Sequence, residues 1–194
     1  MTTQHLNEVT TKQQRRDDDV TTSKDTNVSE EHNLGRGHRT RLVLPRPTDV
    51  EVMVPYGWSA TDAVQADVVL LGPGSSGFRP NVTVARERIS AVHTLAEIVA
   101  QTAHGLAARP GLSIVTERPC TIDGVEAVDH HFTRTTDGAP ALDGRQVVIM
   151  FPVAPGRQVR DLLVITALVP ADAPADVMID VDELIDSLHV QPVS

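Results

Sequence analysis

The residues best suited to chemistry are few. Asp129-His130-His131 brings a carboxylate and two imidazoles together. Successive side chains of a strand point to opposite faces, so in a strand Asp129 and His131 share one face and His130 takes the other. Two ligands on one face fall short of the three or four that a zinc site needs, so a metal-dependent enzyme built on Asp129 and His131 is the weakest of the functional readings. Cys120 is the single cysteine. It follows Pro119, and a cysteine so placed reads as a small apolar side chain rather than a nucleophile. Ser75 and Ser76 sit in Gly72-Pro73-Gly74-Ser75-Ser76-Gly77. That phrase is no Gly-x-Ser-x-Gly elbow. It also lacks the Gly-Lys step of a phosphate-binding loop, since Phe78 follows Gly77. It reads as a turn. No catalytic residue, cofactor site or metal site is assigned, and the chain reads as a non-enzyme.

Other side chains suit recognition. Tyr56 and Trp58 are the only Tyr and Trp, and Phe78 stands at the head of a strand. Aromatics anchor interfaces, and single aromatics also plug Val-rich cores; for Trp58 the plug is the preferred reading. Asp172, Asp176, Asp180, Asp182, Glu183 and Asp186 form an acidic stretch. Such a stretch attracts basic partners or is a solvated helix start. Tyr56, Trp58, Phe78, Asp182 and Glu183 are therefore the candidate interaction surface.

These residues are positioned by two kinds of element. Val50, Val52 and Val54 alternate along a strand. Val68–Leu71 is a second, and Asn81–Ile89 a third with unlike faces. Thr94-x-x-Glu97 is a capping box, and Leu95, Ile98, Val99 and Leu106 continue it as a helical stripe until Pro110-Gly111. Four strands follow, at Leu112–Arg118, Val125–Thr135, Gln146–Val153 and Asp161–Val169. Asp123-Gly124 makes the hairpin between the first two. Asp180-x-x-Glu183 predicts a second capping box, opening a terminal helix through Leu188. Short links between strands call for antiparallel pairing. The fold class is α+β: a mostly antiparallel sheet of about six to seven strands flanked by two main helices.

Charge divides the chain. The net charge is −9. Residues 1–41 hold seven basic and seven acidic residues, while the remainder holds ten Arg, no Lys and nineteen Asp or Glu. An acidic body repels phosphate backbones and anionic lipid, so neither nucleic acid nor a membrane surface is expected as partner. Residues 1–40 are polar and poor in apolar side chains, and read as a disordered tail; the domain is expected over 41–194. The start of the chain shows no apolar leader, and no run of about 18 apolar residues occurs. Together with the lone Cys this places the protein in the cytoplasm.

The order of elements resembles the PsbP-like fold, and within it the actinobacterial LpqN/LpqT and DcrB-type families. The resemblance runs from about Thr48 to Val190. It is carried by Val54-Pro55-Tyr56-Gly57-Trp58, Phe78-Arg79-Pro80-Asn81-Val82-Thr83-Val84, the helix from Leu95, the Asp123-Gly124 hairpin and Glu183-Leu184-Ile185-Asp186-Ser187-Leu188. It implies an α/β/α sandwich without a catalytic signature, of a kind whose relatives bind proteins, secretion chaperones among them. Many LpqN-like chains are lipoproteins; this sequence departs from them in its start. The resulting expectation is a protein-binding scaffold, adaptor or secretion chaperone. The alternative is a small-molecule or lipid carrier with an apolar cleft between the sheet and the Leu95–Ala108 helix.

Overall fold

Apolar side chains at every second position commit much of this chain to strands. Eleven form among the residues described by the computed structural model, which are 27–30, 40–44, 49–74 and 77–191. In chain order they are β1 (Asn27–Glu30), β2 (Thr40–Leu44), β3 (Asp49–Val54), β4 (Ser59–Ala63), β5 (Ala66–Leu71) and β6 (Asn81–Ser90), then the helix α1 (Leu95–Ala107). After it come β7 (Leu112–Ile122), β8 (Val125–Arg134), β9 (Leu142–Met150), β10 (Val159–Pro170), the helix α2 (Ala175–Asp186) and β11 (His189–Gln191). A seven-stranded sheet has the order β4-β5-β6-β10-β9-β8-β7, and a four-stranded sheet the order β1-β2-β3-β11. Every pairing is antiparallel. The α+β class is as expected, with the small sheet in addition.

The seven-stranded sheet sorts its residues by parity. Ala127 of β8, Val147 and Ile149 of β9 and Ile165 of β10 turn to one face, where Val181 and Ile185 of α2 and Val50 and Val52 of the small sheet cover them. Val148 and Met150 of β9 and Leu162 of β10 turn to the other, against Ile98 of α1. The molecule is therefore layered as α1, the large sheet, and then α2 beside the small sheet. At about 25 cal/mol per Å2 of apolar surface withdrawn from water, the larger of these two interfaces supplies most of the stability.

The two helices start differently. At α1 the Thr94 N–H donates to Glu97 Oε2 at 2.9 Å, and the Glu97 N–H donates to Thr94 Oγ1 at 3.2 Å, which is the expected capping box. The second expected box is wrong. α2 begins at Ala175 behind Pro174, so Asp180 lies in mid-helix. Val177 continues the apolar stripe one turn back from Val181, and burying it extends the helix past the polar signal. Proline's fixed φ suits a helix entry.

Other boundaries moved for identifiable reasons. β9 was expected over Gln146–Val153 and runs from Leu142 to Met150. Pro152 offers no N–H to a ladder. At the other end, Gly144 admits the ring of Phe132 across the strand, where a Cβ would come within 2.2 Å of it. The Asp123-Gly124 hairpin is present, with φ of 49° and 78°. The β5–β6 link also closes as read, with the Gly72 N–H donating to Pro80 O at 2.8 Å. Within the expected tail, Asn27–Glu30 pairs with β2. Thr40, the last residue of that tail, opens β2, and its other residues lie outside the described ones, as do Ser75 and Ser76.

Gly144→Ala should destabilise the fold by about 2 kcal/mol through overpacking against Phe132. Urea unfolding of the two proteins measures this; an unchanged midpoint would show that the ring has room to give.

Candidate functional site

Odd-numbered residues of β8 and β9 face α2, and among them Asp129, His131 and Arg145 interrupt the apolar pattern. Arg145 is the centre. Its Nε lies 3.2 Å from Asp129 Oδ1 and its Nη2 3.3 Å from Asp129 Oδ2, a two-point contact between neighbouring strands. The same guanidinium reaches up to α2, where Nη1 donates to Asp182 Oδ1 at 2.8 Å and Nη2 lies 3.6 Å from Asp186 Oδ1. Asp182 and Asp186 are four residues apart, hence on one side of the helix. From β7, Arg118 Nη2 donates to Asp129 Oδ2 at 3.1 Å, and His131 Nε2 lies 3.5 Å from the same oxygen. The lattice ties three strands to the helix.

Burial and charge compete here. Burial raises the Asp129 pKa, but the hydrogen bonds and charge of Arg145, then the charge of His131 and the bond from Arg118, outweigh it and hold the carboxyl below its usual value. For Arg145 burial works to lower the pKa, and the bonds and charge of Asp129, aided by Asp182 and Asp186, raise it instead. Cys120 stands at the edge of this group. Burial first, and the charge of Asp129 second, raise its thiol pKa, which makes it a poor thiolate. Asp129 and His131 do share a face, but the carboxylate is committed to two guanidiniums. Among the described residues no three His, Cys, Asp or Glu side chains converge as metal ligands.

Two clefts open beside α2 and meet at Arg145. One, of about 210 Å3, runs between Met178 and Val181 of α2 and Ala167, Val169 and Thr133 of the sheet, with Val115 at its mouth. The other, of about 340 Å3, is walled by Cys120, Ile122 and Asp123 on one side and Ile185, Asp186 and Leu188 on the other. Both lie under α2, not under the Leu95–Ala107 helix. Val115 is 62% exposed because a bulge between Ile114 and Thr116 re-aims it.

The expected interaction residues do not form one surface. Tyr56 is 75% exposed at the β3–β4 turn. Trp58 is buried, so it is withdrawn from any docking surface: its ring lies against Gly72, and its indole N–H donates to Asp180 Oδ2 at 3.1 Å. An indole needs a partner when buried, and mid-helix Asp180 supplies it. Phe78 is half-buried in the β5–β6 link. Asp182 and Glu183 are exposed on α2, and only Asp182 joins the Arg145 lattice. Arg145 itself was missed. Its signal was a lone Arg at the head of an apolar strand, to be read with the four-residue spacing of Asp182 and Asp186.

This architecture defines an α+β sandwich of the LpqN and PsbP-like fold. LpqN of Mycobacterium tuberculosis, a protein involved in cell envelope biogenesis, matches with a TM-score of 0.64 at 13% identity, over 87% of this chain and 92% of its own. A protein of unknown function from Pseudomonas aeruginosa, described as a putative regulator, matches at 0.53 and 15% identity over 85% and 98% of the two chains. Cyanobacterial PsbP from Synechocystis matches at 0.54 and 17% identity over 73% and 86%. No family model and no curated protein matches the sequence. At these identities the likeness is one of fold. Among the described residues no helix is long and apolar enough to cross a membrane.

Removing the cation should be costly. Arg145→Met leaves Asp129 sunk in the sheet with a weaker partner set, and stability should fall by about 3 kcal/mol. Asp129 also sets an acid limb. Its depressed folded pKa contributes stability that is present above the unfolded value near about 3.9 and is lost as pH falls through the lower folded value. Urea midpoints taken between about pH 6 and 2 should therefore drop more steeply for the parent than for Asp129→Asn; parallel curves would refute the assignment.

Proposed function

We propose that this protein is a non-enzymatic docking module that binds another protein along the groove between α2 and the β7–β9 strands. What carries the reading is the state of the ionisable groups in that groove. Asp129, Arg145 and Asp182 satisfy one another in a closed lattice, and the one thiol has its pKa raised. A general base or nucleophile needs a free, suitably poised group, and this arrangement holds its groups in mutual bonds. It also builds a graded surface, apolar at Met178 and Val169 and acidic at Asp143 and Asp186, with Asp182 paired to Arg145 from the same helix. Such a surface suits a partner segment that carries apolar side chains flanked by Lys or Arg, in keeping with the nineteen acidic against ten basic residues beyond position 41.

Scaffold, adaptor and secretion chaperone are all uses of such a groove. LpqN's involvement in envelope biogenesis extends the candidates to partners of the cell envelope. The cytoplasm is the location adopted, in keeping with a free Cys120. A carrier for a small apolar molecule is the second reading. The clefts favour it less, because the apolar one is smaller than the roughly 300 Å3 at which ligand sites usually begin.

A photo-activatable residue at Val115, beside the groove, should cross-link in cells to a protein that the same residue at Val159, outside the groove, does not capture. With that partner purified, Met178→Asp should weaken binding by about tenfold or more, as a charge set in an apolar contact does. Affinity should also fall as salt rises. Equal capture at both positions, or binding indifferent to Met178→Asp, would refute the groove.

A further inference from the structure

Part of the groove's negative charge is left over. Arg118 and Arg145 both commit to Asp129, and Arg145 also reaches Asp182 and Asp186. Asp143 lines the same cleft as Arg145. The carboxylates of Asp129, Asp143, Asp182 and Asp186 thus outnumber the two guanidiniums, and even a protonated His131, which faces Asp129, leaves an excess. Asp182 and Asp186 are open to solvent, their side chains 52% and 72% exposed. Beside them the wall is apolar: Met178 of α2, Val169 of β10, and Val115, which the bulge in β7 turns outward. Followed along α2 in steps of four residues, the groove passes from apolar at Met178 to acidic at Asp182 and Asp186.

The chain itself carries a segment of matching chemistry. Residues 5–16 read His5-Leu6-Asn7-Glu8-Val9-Thr10-Thr11-Lys12-Gln13-Gln14-Arg15-Arg16. Leu6 and Val9 come first, and Lys12, Arg15 and Arg16 follow, against the single acid Glu8. The order is that of the groove, apolar and then charged, with the sign reversed. The acidic run Asp17-Asp18-Asp19 comes next, nearer to β1 and beyond the matching part. The tether is long enough. Arg16 precedes Asn27, the first residue of β1, by eleven positions, which reach about 36 Å when extended. β1 lies two strands from β3, and β3 touches α2. With strands about 4.8 Å apart and a helix about 10 Å across, the far side of α2 is roughly 25 Å away.

We infer that residues 5–16 of this chain occupy the groove beside α2, with Leu6 and Val9 against Val115 and Met178, and with Lys12, Arg15 and Arg16 beside Asp182 and Asp186. The inference rests on the groove being a docking surface, and adds how access to it is controlled. A segment tethered to its own site acts at an effective concentration of about 1 mM, so modest contacts suffice to fill it. A second protein must displace the segment, and its affinity is lowered in proportion to the share of molecules whose groove is filled.

The purified full chain, alone and dilute, tests this with a photo-activatable residue at Val115. The expected product is an internal cross-link to residues 5–16, identified by mass spectrometry after digestion. A mixture of ordinary and nitrogen-15-labelled chains separates internal links from links between two copies. Lys12→Glu, Arg15→Glu and Arg16→Glu, made together, alter no residue of the described fold and should lower the yield about fivefold or more. Added salt should lower it as well. The inference is overturned if Val115 captures residues 5–16 no better than the same residue at Val159 does, if it captures them only from a second copy, or if the charge reversal leaves the yield unchanged. The docking surface would outlast each of these results provided that Val115 still captured a foreign protein in cells.

Discussion

Alternation of side chains along the central strands of the seven-stranded sheet is the constraint on which the rest depends. A strand offers each residue one of two faces and no third choice. In β8 this splits three consecutive polar residues between opposite sides of the sheet. Asp129 and His131 go to the α2 side and His130 to the α1 side. Each side then solves its own problem of burial. Toward α2 there is room for long side chains, and the solution is ionic. Toward α1 the polar side chains meet through two contacts, His130 with Glu117 and Gln146 with Thr166.

The position of α2 follows from the same rule. Its apolar stripe would pack on any apolar sheet face. Two polar ties remove that freedom. Arg145 holds Asp182 and Asp186, while the Trp58 indole N–H holds Asp180. A third tie comes from the hairpin below β11, where Asp123 Oδ2 accepts the Val190 N–H at 2.7 Å. Ion pairs of this kind return little net stability, because desolvation of the charges offsets their attraction. What they supply is register: the helix cannot slide along the sheet without leaving a buried charge alone.

Much of this was legible in the residues and some was not. The seven main strands and α1 were readable because apolar spacing and capping chemistry are local. The start of α2 was misread because a local signal, Asp180-x-x-Glu183, competed with the burial of Val177, which only the tertiary fold reveals. The short strands β4 and β11 carry too few apolar residues to announce themselves, and exist because neighbours pair with them. Asp129 and His131 were correctly placed on one face by parity, yet their chief partner lies on another strand and a distant helix. Trp58 was readable as a core residue. That its indole N–H is the reason for an aspartate in mid-helix was not.

Proteins sharing only 13–17% identity with this chain adopt the same fold, so the fold requires little beyond apolar alternation and two amphipathic helices. The interior polar residues stand apart from that requirement. Were Asp129 and Arg145 replaced together by apolar side chains of similar volume, the architecture would be satisfied, commonly at equal or better stability, whereas removing one of them alone strands the other. Fold alone does not specify function. The physical case for locating what is particular to this protein in the Arg145 groove is that it spends stability where the sandwich itself has no need of it.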